Sequence, residues 1–267
     1  MQTRWRSGMA RHHAAMTWIF LRGLTRETAH WGSFPDAFQH ALPGSSVICL
    51  DLPGNGQLHG MASPLSIAGM VAYCRRELIR RGQPPPYCLL AMSLGAMVAT
   101  EWSYMAAGEI SGCVLINTSL RAFSPFYRRL QPRNYLRLLK LLLLVKKPAD
   151  AERLVLQMTS HLADRQAQVM DEWLQARARH PVSTANGLRQ IVAALRYRAS
   201  SRSPAAKVLI LCSEHDALVH ASCSLAMAAH WNCPVQLHPF AGHDLALDDP
   251  AWLIEKVQQW LESVPSA

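Results

Sequence analysis

No Cys-x-x-Cys pair occurs in the 267 residues, so zinc-ribbon and dithiol redox chemistry lack their usual ligand spacing. The seven cysteines are odd in number. Cys49, Cys88, Cys113 and Cys212 fall in short apolar runs of strand character, where a thiol serves as a small buried hydrophobe. That usage fits a reducing cytoplasm. No apolar run reaches bilayer length: the most lipid-like one, Leu138 to Val145, is broken by Lys140 and followed by Lys146 and Lys147. A secretory signal is not evident, because Arg4, Arg6 and Arg11 are followed by no continuous apolar core before Thr17. Residues 1–15 read as a loose extension, with Met16 as a candidate natural start. Internal repeats and low-complexity tracts are missing too. Charged residues make up only 17% of the chain and hydrophobic ones 50%, enough for a sizeable core and too apolar for disorder.

The charge is unevenly placed. Residues 120–202 hold 16 basic against 5 acidic residues, while the rest of the chain holds 11 against 13. The net charge of +9 therefore belongs to one segment. It is either a solvated surface or a face for an anionic partner, such as an acidic carrier protein, a charged substrate or a membrane surface. No nucleic-acid recognition motif accompanies it, so nucleic acid is not an expected partner.

Six short apolar runs recur along the chain: Trp18 to Leu21, Val47 to Leu50, Tyr87 to Ala91, Cys113 to Ile116, Val208 to Cys212 and Val235 to Leu237. Helix-length sequence separates them, with helical spacing in sets such as Trp31, Phe34, Phe38, Ala41 and Ile67, Met70, Val71, Cys74, Leu78. Nearly continuous apolar strands alternating with helices predict an α/β fold with a parallel sheet buried on both faces. A last helix is expected from Pro250, capped by Asp249. The alternation breaks between the fourth and fifth strands. There, Leu136 to Leu144, Leu154 to Leu162, Met170 to Leu174 and Leu188 to Leu195 carry helical patterns without strand signals. The expected organisation is a core of 16–119 and 203–267 with a helical lid, 120–202, inserted after the fourth strand.

The chemistry is concentrated where strands end. Ala91-Met92-Ser93-Leu94-Gly95 joins a strand to a helix through small flanking residues, the requirement for a strained turn that exposes a serine at the sheet edge. A serine hydroxyl needs a base, and the base needs an orienting group. Asp216 follows the fifth strand, and His243, in Ala241-Gly242-His243-Asp244, follows the sixth. Ser93 is the candidate nucleophile, His243 the candidate base and Asp216 the candidate orienter. Competing readings make Asp216 a helix cap, with His215 or Glu214 as the relevant group, or Ser93 an ordinary turn residue. Asp244, Asp248 and Asp249 are expected to shape a turn and cap a helix. Asn117, after the fourth strand, is no carboxylate. The backbone N–H groups of Leu94 and of Leu24, after Gly23, are the candidate oxyanion donors. Among lid residues, Phe123, Phe126, Tyr127, Leu139 and Trp173 are the candidate pocket wall.

Over nearly its whole length from about Thr17 the chain resembles the α/β-hydrolase superfamily. The matching pieces are Arg22-Gly23-Leu24 in place of the usual His-Gly-x, Asp51-Leu52-Pro53-Gly54-Asn55-Gly56, the Ser93 turn, the Asp216 turn and Gly242-His243. Within it, the chain looks most like small lidded carboxylesterases, including those that cleave methyl esters of carrier-bound acyl chains. The resemblance implies catalytic residues at the carboxyl edge of the sheet under the lid, with no metal and no organic cofactor. Two departures carry expectations. Arg22 puts a cation beside the pocket, and the missing N-terminal hairpin predicts a truncated sheet of about six mainly parallel strands. The expected activity is hydrolysis of a small-molecule carboxylic ester by a serine hydrolase. The same triad also suits thioester or C–C bond hydrolysis or lyase chemistry, and a binding protein that kept the fold is the non-enzymatic alternative.

Overall fold

The computed structural model describes residues 16–145 and 147–263. The expected extension 1–15 lies outside them. Among the described residues six strands form one sheet: β1 (Thr17–Leu21), β2 (Ser46–Leu50), β3 (Tyr87–Met92), β4 (Ile110–Ile116), β5 (Lys207–Ser213) and β6 (Val235–His238). Every pairing is parallel, in the order β2-β1-β3-β4-β5-β6. This is the parallel sheet flanked by helices that the resemblance to the α/β-hydrolase superfamily implies. β4 begins at Ile110 rather than Cys113, because Ser111 and Gly112 interrupt the apolar pattern without ending the ladder.

Crossovers α1 (Phe34–Ala41), α2 (Ile67–Arg80), α3 (Leu94–Met105) and α9 (Ser222–Trp231) join successive strands. Between β4 and β5 lie α4 (Phe126–Arg129), α5 (Tyr135–Leu143), α6 (Pro148–Thr159), α7 (Ala163–Arg179) and α8 (Thr184–Arg196). The short α10 (Leu245–Asp248) and α11 (Pro250–Ser263) close the chain. Asp249 caps α11 through Oδ1, which accepts from Trp252 N at 2.9 Å.

Period-two alternation sends each inner strand's side chains into two cores. Ile19, Leu21, Leu89, Ala91 and Ile210 face one, with Met70 and Trp102. Trp18, Phe20, Leu90, Val114 and Leu209 face the other, with Phe34, Phe38, Leu253 and Trp260. In the second core Phe20 meets Phe38 edge-on at 5.1 Å. The order reverses between β1 and β3, which opens a crevice beyond their carboxyl ends, the place where such sheets accept ligands.

Candidate active site

The turn after β3 is built around a strained serine. Ser93 has φ 53° and ψ −115°, in the left-handed half of the map where a side chain is unfavourable. The surroundings hold it there: Ser93 N donates to Ile116 O at 2.9 Å, and Thr118 Oγ1 donates to Ser93 O at 2.9 Å. The helix that follows presses onto the end of β1. A Cβ on Gly95 would stand 2.5 Å from Leu21 O and 2.6 Å from Arg22 O, both backbone atoms that cannot swing away. Gly95→Ala is therefore expected to cost about 3 kcal/mol or more, at the upper end of overpacking effects. A urea midpoint indistinguishable from that of the parent chain would contradict this packing.

Gly23 brings the loop after β1 against the serine; a Cβ there would lie 3.2 Å from Ser93 Cβ. A turn closes the loop, with Arg26 N donating to Gly23 O at 3.2 Å, and Thr25 N ties it to α8 through Gln190 Oε1 at 2.8 Å. Leu24 thus sits beside Ser93. Leu94 opens α3, where the first N–H groups have no partner within the helix and point outward. Leu24, Leu94 and Ser93 line one cavity.

Asp216 and His243 meet across the β5 and β6 loops. His243 Nδ1 lies 2.7 Å from Asp216 Oδ2, with both side chains almost wholly buried. The other carboxylate oxygen accepts from Leu218 N at 2.8 Å and Val219 N at 2.9 Å. These bonds fix the carboxylate and so the imidazole tautomer, with hydrogen on Nδ1 and the lone pair on Nε2. Burial by itself would lower the His243 pKa. The Asp216 carboxylate, by charge and hydrogen bond, and Asp244 outweigh burial and hold it above the ordinary value. Only the neutral imidazole can take a proton, so the rate of any reaction in which His243 is the base is expected to fall as pH drops through that raised pKa. The acid limb should have its midpoint above about 6.5. A rate profile flat to well below that value would contradict His243 as the base.

Side chains the sequence did not single out as functional hold the histidine loop. Asn117, at φ 45° after β4, donates through Nδ2 to His243 O at 2.8 Å, Gly242 O at 3.2 Å and Ser213 Oγ at 3.0 Å. Its Oδ1 accepts from Ser213 N at 2.8 Å. Not being a carboxylate is what suits it, since an amide can both donate and accept here. Asp248 accepts from Gly242 N and from Ser160 Oγ, each at 2.6 Å. Asp244 does more than shape a turn. It receives both ends of the buried Arg22 guanidinium, at 3.1 and 2.5 Å, while Arg22 also lies 4.7 Å over the Trp31 ring. The cation that replaces the usual histidine thus clamps the β1 loop to the His243 loop. Removing one partner of such a buried pair typically costs about 3–5 kcal/mol, because the other charge is left uncompensated.

Ser93 and His243 share the wall of a cavity of about 220 Å³ whose lining is mostly apolar. Of the expected pocket residues, Arg22 and Phe126 line it, and Phe123, Tyr127, Leu139 and Trp173 do not. Phe123 packs edge-on to Trp231 of α9 at 5.6 Å. Tyr127 and Leu139 point to solvent, 49% and 52% exposed. Trp173 is buried under the Arg26 guanidinium, 4.3 Å away, and against His30. The wall is made instead by Leu130, Leu138, Leu141, Ile191 and Leu195. The α5 segment is apolar on most of its circumference, so spacing alone does not tell which leucines turn inward; Leu138 and Leu141 do. Among the described residues no group of three His, Cys, Asp or Glu side chains is placed to hold a metal ion.

The profile of a family described as Alpha/beta hydrolase family matches residues 18–256. Among solved structures, BpoC from Mycobacterium tuberculosis H37Rv, a candidate non-heme bromoperoxidase, aligns with a TM-score of 0.75 at 21% identity, over 94% of this chain and 93% of that one. The esterase RhEst1 from Rhodococcus sp. ECU1013 aligns at 0.72 and 18% identity, over 94% and 92%. Carboxylesterase CesB from Bacillus subtilis aligns at 0.74 and 16% identity, over 94% and 85%. At these identities the likeness is one of fold. No curated protein matches the chain.

Proposed function

Because the chain belongs to the alpha/beta hydrolase family, as the match over residues 18–256 shows, we propose that it is a serine hydrolase that cleaves carboxylic esters through an acyl-enzyme. The observation that carries this reading is the sharing of one apolar cavity by a strained serine and a histidine that is itself bonded to a buried aspartate. Ser93 Oγ attacks the ester carbonyl carbon while His243 Nε2 takes its proton. Asp216 stabilises the imidazolium as it forms. The carbonyl oxygen, now negative, accepts from the N–H groups of Leu24 and Leu94. The intermediate collapses, the C–O bond to the alcohol breaks, and His243 returns the proton to the leaving alkoxide. Water then repeats the sequence on the acyl-serine and releases the acid. In this reading α4 to α8 are the lid, since residues from α4, α5, α6 and α8 line the cavity above the serine.

The relatives named as esterases favour an ester over other acyl substrates, and the apolar wall favours an aliphatic acyl chain. We also place the protein in the cytoplasm, since Cys49, Cys88, Cys113 and Cys212 serve as packing residues of the sheet. Docking of an acidic carrier protein on the basic segment draws no support from these relatives. A panel of p-nitrophenyl esters of varied acyl length, run beside the matching thioesters and vinylogous diketones, tests the proposal. Turnover of the esters with the highest kcat/KM is expected. Turnover confined to thioesters or diketones would replace the reaction while keeping the triad.

A further inference from the structure

Three arginines form part of the cavity wall, and the protein supplies carboxylates to two of them. Arg22 is held by Asp244, and Arg26 by Glu152 at 2.7 Å. Arg129, the last residue of α4, is different. Among the described residues, the one hydrogen bond of its side chain to the protein runs from Nη2 to the Ala194 backbone oxygen, at 3.0 Å. Its Nε is buried without an acceptor. No carboxylate of the described residues lies within ion-pair distance, and the charged neighbour that acts on it is another cation, Arg121. The nearby Cys223 thiol is fully buried and pushed up by that burial, so it remains neutral.

A guanidinium stays charged at any working pH. Taking it partly out of water without a counter-charge is unfavourable, and the neighbouring Leu130, Leu138, Ile191, Leu195 and Leu218 offer it nothing. Such a residue in a cavity wall is satisfied when a bound molecule brings the missing anion. One positive charge matches one negative charge, and the planar guanidinium suits a carboxylate. Building on the esterase reading, we propose that Arg129 is a carboxylate-binding subsite, and that the preferred substrate is a hemiester: an ester whose apolar acyl chain ends in a second, ionised carboxylate. Arg22 does not compete for this role, because Asp244 already neutralises it.

The test compares monoethyl suberate with ethyl octanoate, which share chain length and differ in the terminal carboxylate. The wild-type chain is expected to show a kcat/KM about 10- to 100-fold higher for the hemiester, the range for a hydrogen bond to a charged group. That ratio should fall toward one in Arg129→Met and be partly restored in Arg129→Lys. A wild-type ratio of one or less, with ethyl octanoate turned over, overturns the subsite and leaves the esterase reading intact. A ratio that Arg129→Met does not change overturns the subsite equally. If neither ester is hydrolysed the esterase reading fails, and calorimetry decides the subsite separately. Monoethyl suberate binding at least about tenfold tighter to Ser93→Ala than to the Ser93→Ala, Arg129→Met double variant supports it, and equal binding rejects it.

Discussion

Ser93→Ala is expected to reduce kcat for p-nitrophenyl butyrate by roughly 10⁴- to 10⁶-fold while leaving the fold in place. The loss is large because the proposed acyl bond forms on Ser93 Oγ, and alanine has no hydroxyl to form it. The fold survives because the contacts that hold this turn are made by the backbone of residue 93, not by its hydroxyl. Ile116 O receives Ser93 N, and Thr118 Oγ1 and Ala96 N donate to Ser93 O. Alanine also carries a Cβ, so the strain at φ 53° is already present in the parent chain. The paired measurement is kcat with the thermal midpoint. Activity within tenfold of the parent, on a variant with the parent's midpoint, would remove Ser93 from the chemistry.

Asp216→Asn is expected to have the next largest effect, a fall in kcat on the order of 10³- to 10⁴-fold with little loss of stability. The geometry dictates how. Oδ1 of residue 216 accepts from Leu218 N and Val219 N, so an asparagine must keep its carbonyl oxygen there. Its amide nitrogen then faces His243 Nδ1, 2.7 Å away in the parent, and can only donate. The imidazole is forced into the tautomer with hydrogen on Nε2, and the atom that should receive the serine proton no longer has a free lone pair. The carboxylate that raises the His243 pKa is lost at the same time, so the residual activity should show its acid limb at lower pH than the parent. A variant with near-parental kcat and an unmoved acid limb would mean that Asp216 only caps its turn.

Much of the architecture was legible in the residues. The six strands announce themselves because a parallel sheet buried on both faces needs uninterrupted apolar runs, and Trp18 to Leu21 or Val208 to Cys212 have no other use. Residues 93, 216 and 243 could be singled out because strand ends in such a sheet all emerge at one edge, which turns order along the chain into proximity. What stayed hidden depends on partners distant in sequence. Nothing local to Arg22 says that Asp244, 222 positions away, neutralises it. Nothing local to Asn117 shows that its amide stitches β4 to the His243 loop. The helices between β4 and β5 were legible as helices but not in rotation. Leu138 and Leu139 are neighbours in one leucine-rich run, yet the first lines the cavity and the second faces solvent. Arg129 reads in the sequence as one cation in a basic segment. Only its position in an apolar wall, without a carboxylate, sets it apart.

Covalent labelling with a fluorophosphonate tests the convergence of hydroxyl, imidazole and carboxylate most directly, since the reagent phosphonylates a serine only where a base activates it. The account predicts one adduct per chain by intact mass, mapped to the peptide containing Ser93. An unmodified chain, or an adduct on any other residue, would contradict it.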